Sequence, residues 1–265
     1  MASERYVALG SSMAAGPGIK PRATDAPVRA GRSARNYPHL VAQRLGYDLV
    51  DVTYSGATTA NVLRERQHSA PPQVDALDGS EHLVTVTIGG NDVGYVPLLF
   101  AATVPSLLRA LPVIGNALRD LLDPAARERA LADVGASLRE VGQTLRTRAP
   151  QARIMFVDYL TLLPAAGAPA PPLSDAVADL GRHIADRLAD ITAEAARETG
   201  CEVVGAAQAS RAHHAWSADP WTVGAGSLLP WRPKPFHPNA EGMRAVAELV
   251  VTAVSAADHP STGSC

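Results

Sequence analysis

The chain has 265 residues, 46% of them hydrophobic and 19% charged, with a formal net charge of -2. This balance suits a globular α/β fold with a sizeable core. It excludes a nucleic-acid binder working through a basic stripe, and no run of roughly 18 apolar residues exists to span a bilayer.

Short apolar runs alternate with longer helical patterns, the sign of βαβ units and a parallel sheet of about five strands. Residues 6–9 (YVAL) read as a first strand ended by Gly10, and residues 38–45 as a helix closed by Gly46. Residues 48–53 make a second strand, followed by a turn at Tyr54-Ser55-Gly56. Residues 82–88 (HLVTVTI) are the clearest strand, rich in β-branched side chains and stopped by Gly89-Gly90-Asn91-Asp92. Residues 124–148 read as a long amphipathic helix, 152–158 as a fourth strand, 173–199 as a helix and 201–204 as a short fifth strand. Residues 239–256 close the fold as a helix with Asn239 as its N-cap. One domain over 1–257 with a flexible tail over 258–265 is expected.

Two stretches break the rhythm. Residues 97–122 are apolar and interrupted by Pro97, Pro105 and Pro112. They read either as short helices packed on the core or as an apolar flap beside a pocket. Residues 216–235 hold all three tryptophans and four prolines, and read as an ordered loop that delivers His237.

Ligands of an open parallel sheet bind beyond the carboxyl ends of its strands, and four such ends carry informative residues. After the first strand stands Gly10-Ser11-Ser12, where a serine hydroxyl enters the crevice or simply caps a helix. After the second stands Gly56, whose N–H can approach an anionic oxygen or merely form a turn. After the third stands Asn91, an amide donor suited to an oxyanion or to an Asx turn, with Asp92 placed to hold the loop. The fourth is Phe236-His237-Pro238-Asn239, ahead of the last helix. His213 and His214 lack comparable neighbours.

In order, ALGSSMAAGPG, Gly56, IGGND and FHPNAEGM resemble the four blocks of the SGNH (GDSL-like) hydrolases, spanning residues 7–244. The resemblance implies a three-layer α/β/α flavodoxin-like fold and an esterase or lipase. It implies Ser12 as nucleophile, His237 as base, and an oxyanion hole made by the N–H groups of Ser12 and Gly56 and the amide of Asn91. Two positions depart from the family. Ser11 stands where the GDSL block has Asp, and Lys234 stands where many members have the Asp of D-x-x-H. This resembles the actinobacterial lipases and esterases that run on a Ser–His dyad. The carbonyl of Lys234 or Pro235 then orients the imidazole, with Asp219 as the alternative.

The expected substrate is a lipid or short-chain ester. A sugar O-deacetylase, an acyltransferase and a non-catalytic flavodoxin-like binding module remain rival readings. No cofactor or metal is expected, since no Cys/His cluster has zinc-ligand spacing. Cys201 and Cys265 are too few for the disulfides of secreted members, and the N-terminus shows no leader pattern. HHAWSADPWTVG resembles their tryptophan-bearing segment without its cysteine. A cytoplasmic location is the expectation.

Overall fold

The computed structural model describes residues 3–104, 112–225 and 234–258. Five strands form one parallel sheet: β1 (Arg5–Gly10), β2 (Asp48–Asp51), β3 (Glu81–Thr87), β4 (Arg153–Val157) and β5 (Glu202–Val204), in the order β2-β1-β3-β4-β5. The expected strands differ from these only at their ends. β2 is two residues shorter than expected because the Asp51 carboxylate accepts the Thr53 N–H at 2.9 Å and its hydroxyl at 2.6 Å, turning the chain out of the ladder.

Alternation along the strands feeds two cores. Val7, Leu9, Val84, Val86, Ile154 and Phe156 face one side. Tyr6, Ala8, Leu83, Met155 and Val157 face the other. Such double-sided burial is why these strands read as nearly continuous apolar runs.

Helices cover both faces. On the first lie α4 (Tyr95–Thr103), α6 (Pro124–Arg148) and α7 (Asp175–Glu198). On the second lie α2 (Tyr37–Leu45) and α9 (Ala240–Asp258). Short helices α1 (Ser12–Ala15), α3 (Thr59–Leu63) and α8 (Ala206–Ala209) follow strand ends, and α5 (Pro112–Leu122) precedes α6. The boundaries follow capping chemistry. Asp123 accepts the N–H groups of Ala125 and Ala126 ahead of Pro124, and Asn36 accepts that of His39. Asn239 accepts the Gly242 N–H at 2.9 Å, as its expected capping role requires.

The apolar stretch at 97–122 divides. Its first part belongs to α4, whose Leu98, Leu99 and Ala101 are buried in the core, in agreement with the packing reading. Residues 105–111 lie outside the described residues, as do 226–233 of the tryptophan loop and 259–265 of the expected tail.

Candidate active site

The site is assembled at the carboxyl ends of the central strands β1 and β3. β1 ends at Gly10, where φ is 137° and an added Cβ would lie 2.5 Å from the Thr87 carbonyl oxygen. Only glycine lets the chain leave the strand there. Ser11 follows as the residue before α1, and Ser12 is the first residue of that helix.

The two serines face different partners. Ser11 Oγ lies 3.2 Å from the Tyr159 hydroxyl, away from the histidine. Ser12 Oγ lies 2.9 Å from His237 Nε2. Ser12 and His237 are 7% and 5% exposed, so the pair sits beneath the surface with little water around it.

His237 Nδ1 lies 2.8 Å from the Pro235 carbonyl oxygen. A carbonyl only accepts, so Nδ1 carries the proton and Nε2 is left with a lone pair for the Ser12 hydroxyl. Of the two expected orienters, the geometry selects Pro235. Lys234 instead donates its N–H to the Pro17 carbonyl at 3.3 Å, and its charge acts on His237 from nearby. Asp219 is engaged elsewhere, with its carboxylate 3.4 Å from His213 Nδ1 and its carbonyl 2.8 Å from the same atom. Burial holds the His237 imidazolium well below its usual range, to about 4; the Pro235 hydrogen bond opposes this and the Lys234 charge adds to it.

The histidine backbone is clamped on both sides. Phe236 donates its N–H to Val223 at 2.7 Å, and Val223 returns one to the His237 carbonyl at 2.9 Å. Phe236 adopts φ of 57°, left-handed for a bulky side chain. Its ring is fully buried, edge-on to Phe100 of α4 at 5.5 Å and tilted against Trp216 at 6.5 Å. Strain at this position is held by that aromatic packing.

The other candidates converge on the same end of the sheet. Gly56 has φ of 82°, and Ala57 N–H closes a turn onto the Tyr54 carbonyl at 3.1 Å. Asn91 donates one amide hydrogen to the Ala57 carbonyl at 2.8 Å, and the other has no acceptor among the described residues. Asp92 accepts the Thr59 hydroxyl at 2.6 Å and its N–H at 3.1 Å, joining the β3 loop to the start of α3. Neither the Ser12 N–H nor the Gly56 N–H has an acceptor among the described residues.

Three supporting side chains escape a reading of the sequence. Tyr159, directly after β4, takes the Gly90 N–H at 2.9 Å and touches Ser11, tying three strand ends together. Its place at a strand end was the available signal. Gln73 brackets Gly10, accepting its N–H at 2.7 Å and donating to its carbonyl at 3.1 Å. Gln67 donates to the Ser55 carbonyl at 3.0 Å. Gln67 lies in a loop and Gln73 opens a single 3-10 turn (Gln73–Ala76), neither with a periodicity to mark it.

Among the described residues, no group of three His, Cys, Asp or Glu side chains is placed to hold a metal ion, and no helix is long and apolar enough to cross a membrane. Cys201 is a free, half-buried thiol, while Cys265 lies outside the described residues.

Known proteins share this arrangement of sequence and fold. The chain is 35% identical over 254 residues to Lipase 2 of Streptomyces coelicolor, covering 92% of this chain and 83% of that protein. It superposes on the extracellular lipase of Streptomyces rimosus with a TM-score of 0.75 at 25% identity, covering 95% of this chain and 99% of the other. Phospholipase A1 of Streptomyces albidoflavus shares the fold, with a TM-score of 0.71 at 23% identity over 96% and 99% of the two chains. The extracellular description of the S. rimosus enzyme does not support the cytoplasmic expectation, which rested on the N-terminal residues and the cysteine count alone. The GDSL-like Lipase/Acylhydrolase family model matches residues 8–245. With nearly the whole chain so matched, this protein belongs to the GDSL-like lipase/acylhydrolase family and is a carboxylic ester hydrolase.

Proposed function

We propose that the chain, as one catalytic unit over residues 1–257, cleaves lipid or short-chain acyl esters through an acyl-enzyme on Ser12. The observation that carries this reading is the line Ser12 Oγ, His237 Nε2, His237 Nδ1, Pro235 O, with contacts of 2.9 and 2.8 Å at its two ends. A serine hydroxyl is a weak nucleophile until a base takes its proton. Here the base is neutral at pH 7, in the required tautomer, and aimed at the hydroxyl.

Ser12 Oγ attacks the ester carbonyl while its proton passes to His237 Nε2. The carbonyl oxygen becomes an oxyanion, met by the N–H groups of Ser12 and Gly56 and the second amide hydrogen of Asn91. Each such donor is worth about 2.7–4 kcal/mol of barrier in acyl transfer. The imidazolium then gives its proton to the leaving alcohol oxygen as the ester C–O bond breaks. A water attacks the acyl-enzyme, His237 takes its proton, and collapse of the second oxyanion returns the proton to Ser12 Oγ. The Pro235 carbonyl holds the ring throughout. Catalysis thus rests on a dyad with a neutral orienter.

Fluorophosphonate labelling tests the assignment. The wild-type chain is expected to label at Ser12 and to hydrolyse p-nitrophenyl esters, and Ser12→Ala to do neither. A folded wild-type chain that hydrolyses esters yet resists the label, or labels away from Ser12, sinks the acyl-enzyme assignment.

A further inference from the structure

The Gly56 N–H comes from the middle of a tight turn, and such a turn has two forms. The Ala57 N–H to Tyr54 carbonyl bond of 3.1 Å and the Gly56 φ of 82° are those of a type II turn. A type I turn closes the same hydrogen bond with the central peptide turned over, the third residue moving from φ of about +80° to about −90°. That central peptide is Ser55 C=O with Gly56 N–H. In a trans peptide these two groups point in opposite directions. Turning it over replaces the Gly56 donor with the Ser55 carbonyl oxygen. Glycine accepts both forms, so residue 56 does not choose between them.

Gln67 supplies the choice. Its Nε2 donates to the Ser55 carbonyl at 3.0 Å. A carbonyl only accepts, so the amide nitrogen must face it and Oε1 must turn away. That Oε1 is buried with no hydrogen-bond partner among the described residues, while the residue itself lines a cavity of about 500 Å³ with Tyr54 and Asn61. The amide is therefore placed for its donor end, and its acceptor end goes unmet. The segment carrying it is locked to the turn. Gln67 exchanges backbone hydrogen bonds with Ala70 at 3.1 and 3.0 Å. Next to it, His68 takes a left-handed φ of 56° and stacks its ring on Tyr54 at 5.9 Å.

We propose that Gln67 is a positioning residue of the oxyanion hole, holding the Ser55–Gly56 peptide in the form that presents the Gly56 N–H to the reacting carbonyl. The inference rests on the reading of Gly56 as an oxyanion donor. Without the amide, the type I form becomes the predominant one, and in it the oxyanion loses a donor and meets a lone pair. Substrate binding and the Ser12–His237 pair are untouched.

The test is steady-state kinetics of Gln67→Leu on a p-nitrophenyl ester, with a melting curve and a pH profile. Loss of a whole oxyanion donor costs about 10²–10³ in kcat, so a flip that leaves only about 1–10% of the chain in the type II form is expected to lower kcat about 10- to 100-fold. KM is expected to stay within about twofold and the acid limb of the profile to stay in place. Gly56→Ala, which disfavours the left-handed φ, acts on the same peptide, so the double variant is expected to be little worse than the poorer single one. A kcat within about twofold of wild type, or losses that multiply in the double variant, overturns the proposal. If Gln67→Leu does not fold, Gln67→Glu keeps the shape, replaces the donor with a carboxylate and carries the same expectation. An inactive wild-type chain would overturn the catalytic reading itself; an active wild type with an unaffected Gln67 variant overturns this inference alone.

Discussion

His237 Nδ1 rests 2.8 Å from the carbonyl oxygen of Pro235, two residues earlier in the chain. A neutral acceptor so close in sequence fixes the tautomer and the ring plane, as a carboxylate does in a triad. It does not answer the charge of an imidazolium. Burial therefore dominates the histidine's titration, and the imidazole is neutral over the whole physiological range, as the proposed role of base requires.

The first prediction concerns pH. With His237 titrating at about 4, kcat/KM is expected to fall only as pH drops through about 4 and to stay level from about 5 to 8. An acid limb near the ordinary 6.5 would show that burial does not govern the base. Stability follows the same linkage. The unfolded chain binds a proton near 6.5 and the folded one only near 4, so stability is full above 6.5 and declines toward 4. The loss attributable to this residue is about 3 kcal/mol, checked by denaturant unfolding of wild type and His237→Gln across that window.

Lys234 offers a way to move that limb. Its positive charge lowers the His237 titration. Lys234→Asp removes the like charge and supplies an opposite one, so the acid limb is expected to move upward. Lys234 is exposed, so the displacement should shrink as salt rises from about 0.01 to 1 M. A limb that stays put in low salt counts against any electrostatic contact between the two.

Asn91→Ala removes a donor from the proposed oxyanion hole and the 2.8 Å bond to Ala57. The expected loss is about 10²–10³ in kcat, or about 2.7–4 kcal/mol of barrier, with KM nearly unchanged. A rise in KM at constant kcat would assign Asn91 to substrate binding instead.

Tyr159→Phe leaves the buried Gly90 N–H without its 2.9 Å acceptor. An unmet buried donor costs about 1–3 kcal/mol, and each kcal/mol lowers Tm by roughly 2–4 °C in a chain near this length. A calorimetric Tm within about 1 °C of wild type, below the roughly 2 °C that even 1 kcal/mol would give, would mean that the hydroxyl carries no such role.

Asp158 lines a cavity of about 350 Å³ beside Leu160 and Leu163, and accepts the Ala207 N–H at 2.8 Å. Burial raises its carboxyl from 3.8 to about 6, against the pull of the Ala207 and Ala206 N–H groups. The folded chain thus favours the protonated acid, and stability is lost as pH rises from 3.8 through 6. Asp158→Asn keeps an accepting oxygen without the charge. It is expected to raise Tm at pH 7–8, by about 1–3 kcal/mol of stability, and to change little at pH 4. An equal effect at both pH values would show that charge is not the cause.

Strand and helix identity, their order and the places where chemistry gathers are legible in the one-dimensional pattern. Apolar runs followed by Gly10, Gly56 and Gly89 mark strand ends, Asp123-Pro124 opens α6, Ser12 and Asn91 follow strands closely, and His237 stands just ahead of α9. These are local matters of periodicity, capping and backbone freedom. Contacts between distant segments are not. Which of two adjacent serines meets His237 depends on the angle at which Gly10 turns the chain between β1 and β3. The choice of Pro235 over Lys234 as orienter depends on the left-handed Phe236 clamped by Phe100 and Trp216. Tyr159 and Gln67 lie 69 and 12 residues from the backbone they hold. Residue types and their spacing were enough to single out the candidate residues, because each follows a strand or precedes a helix that local pattern marks. The orientation of those groups came from side chains brought in by folding, whose polar atoms find their partners only when burial removes water as the competitor.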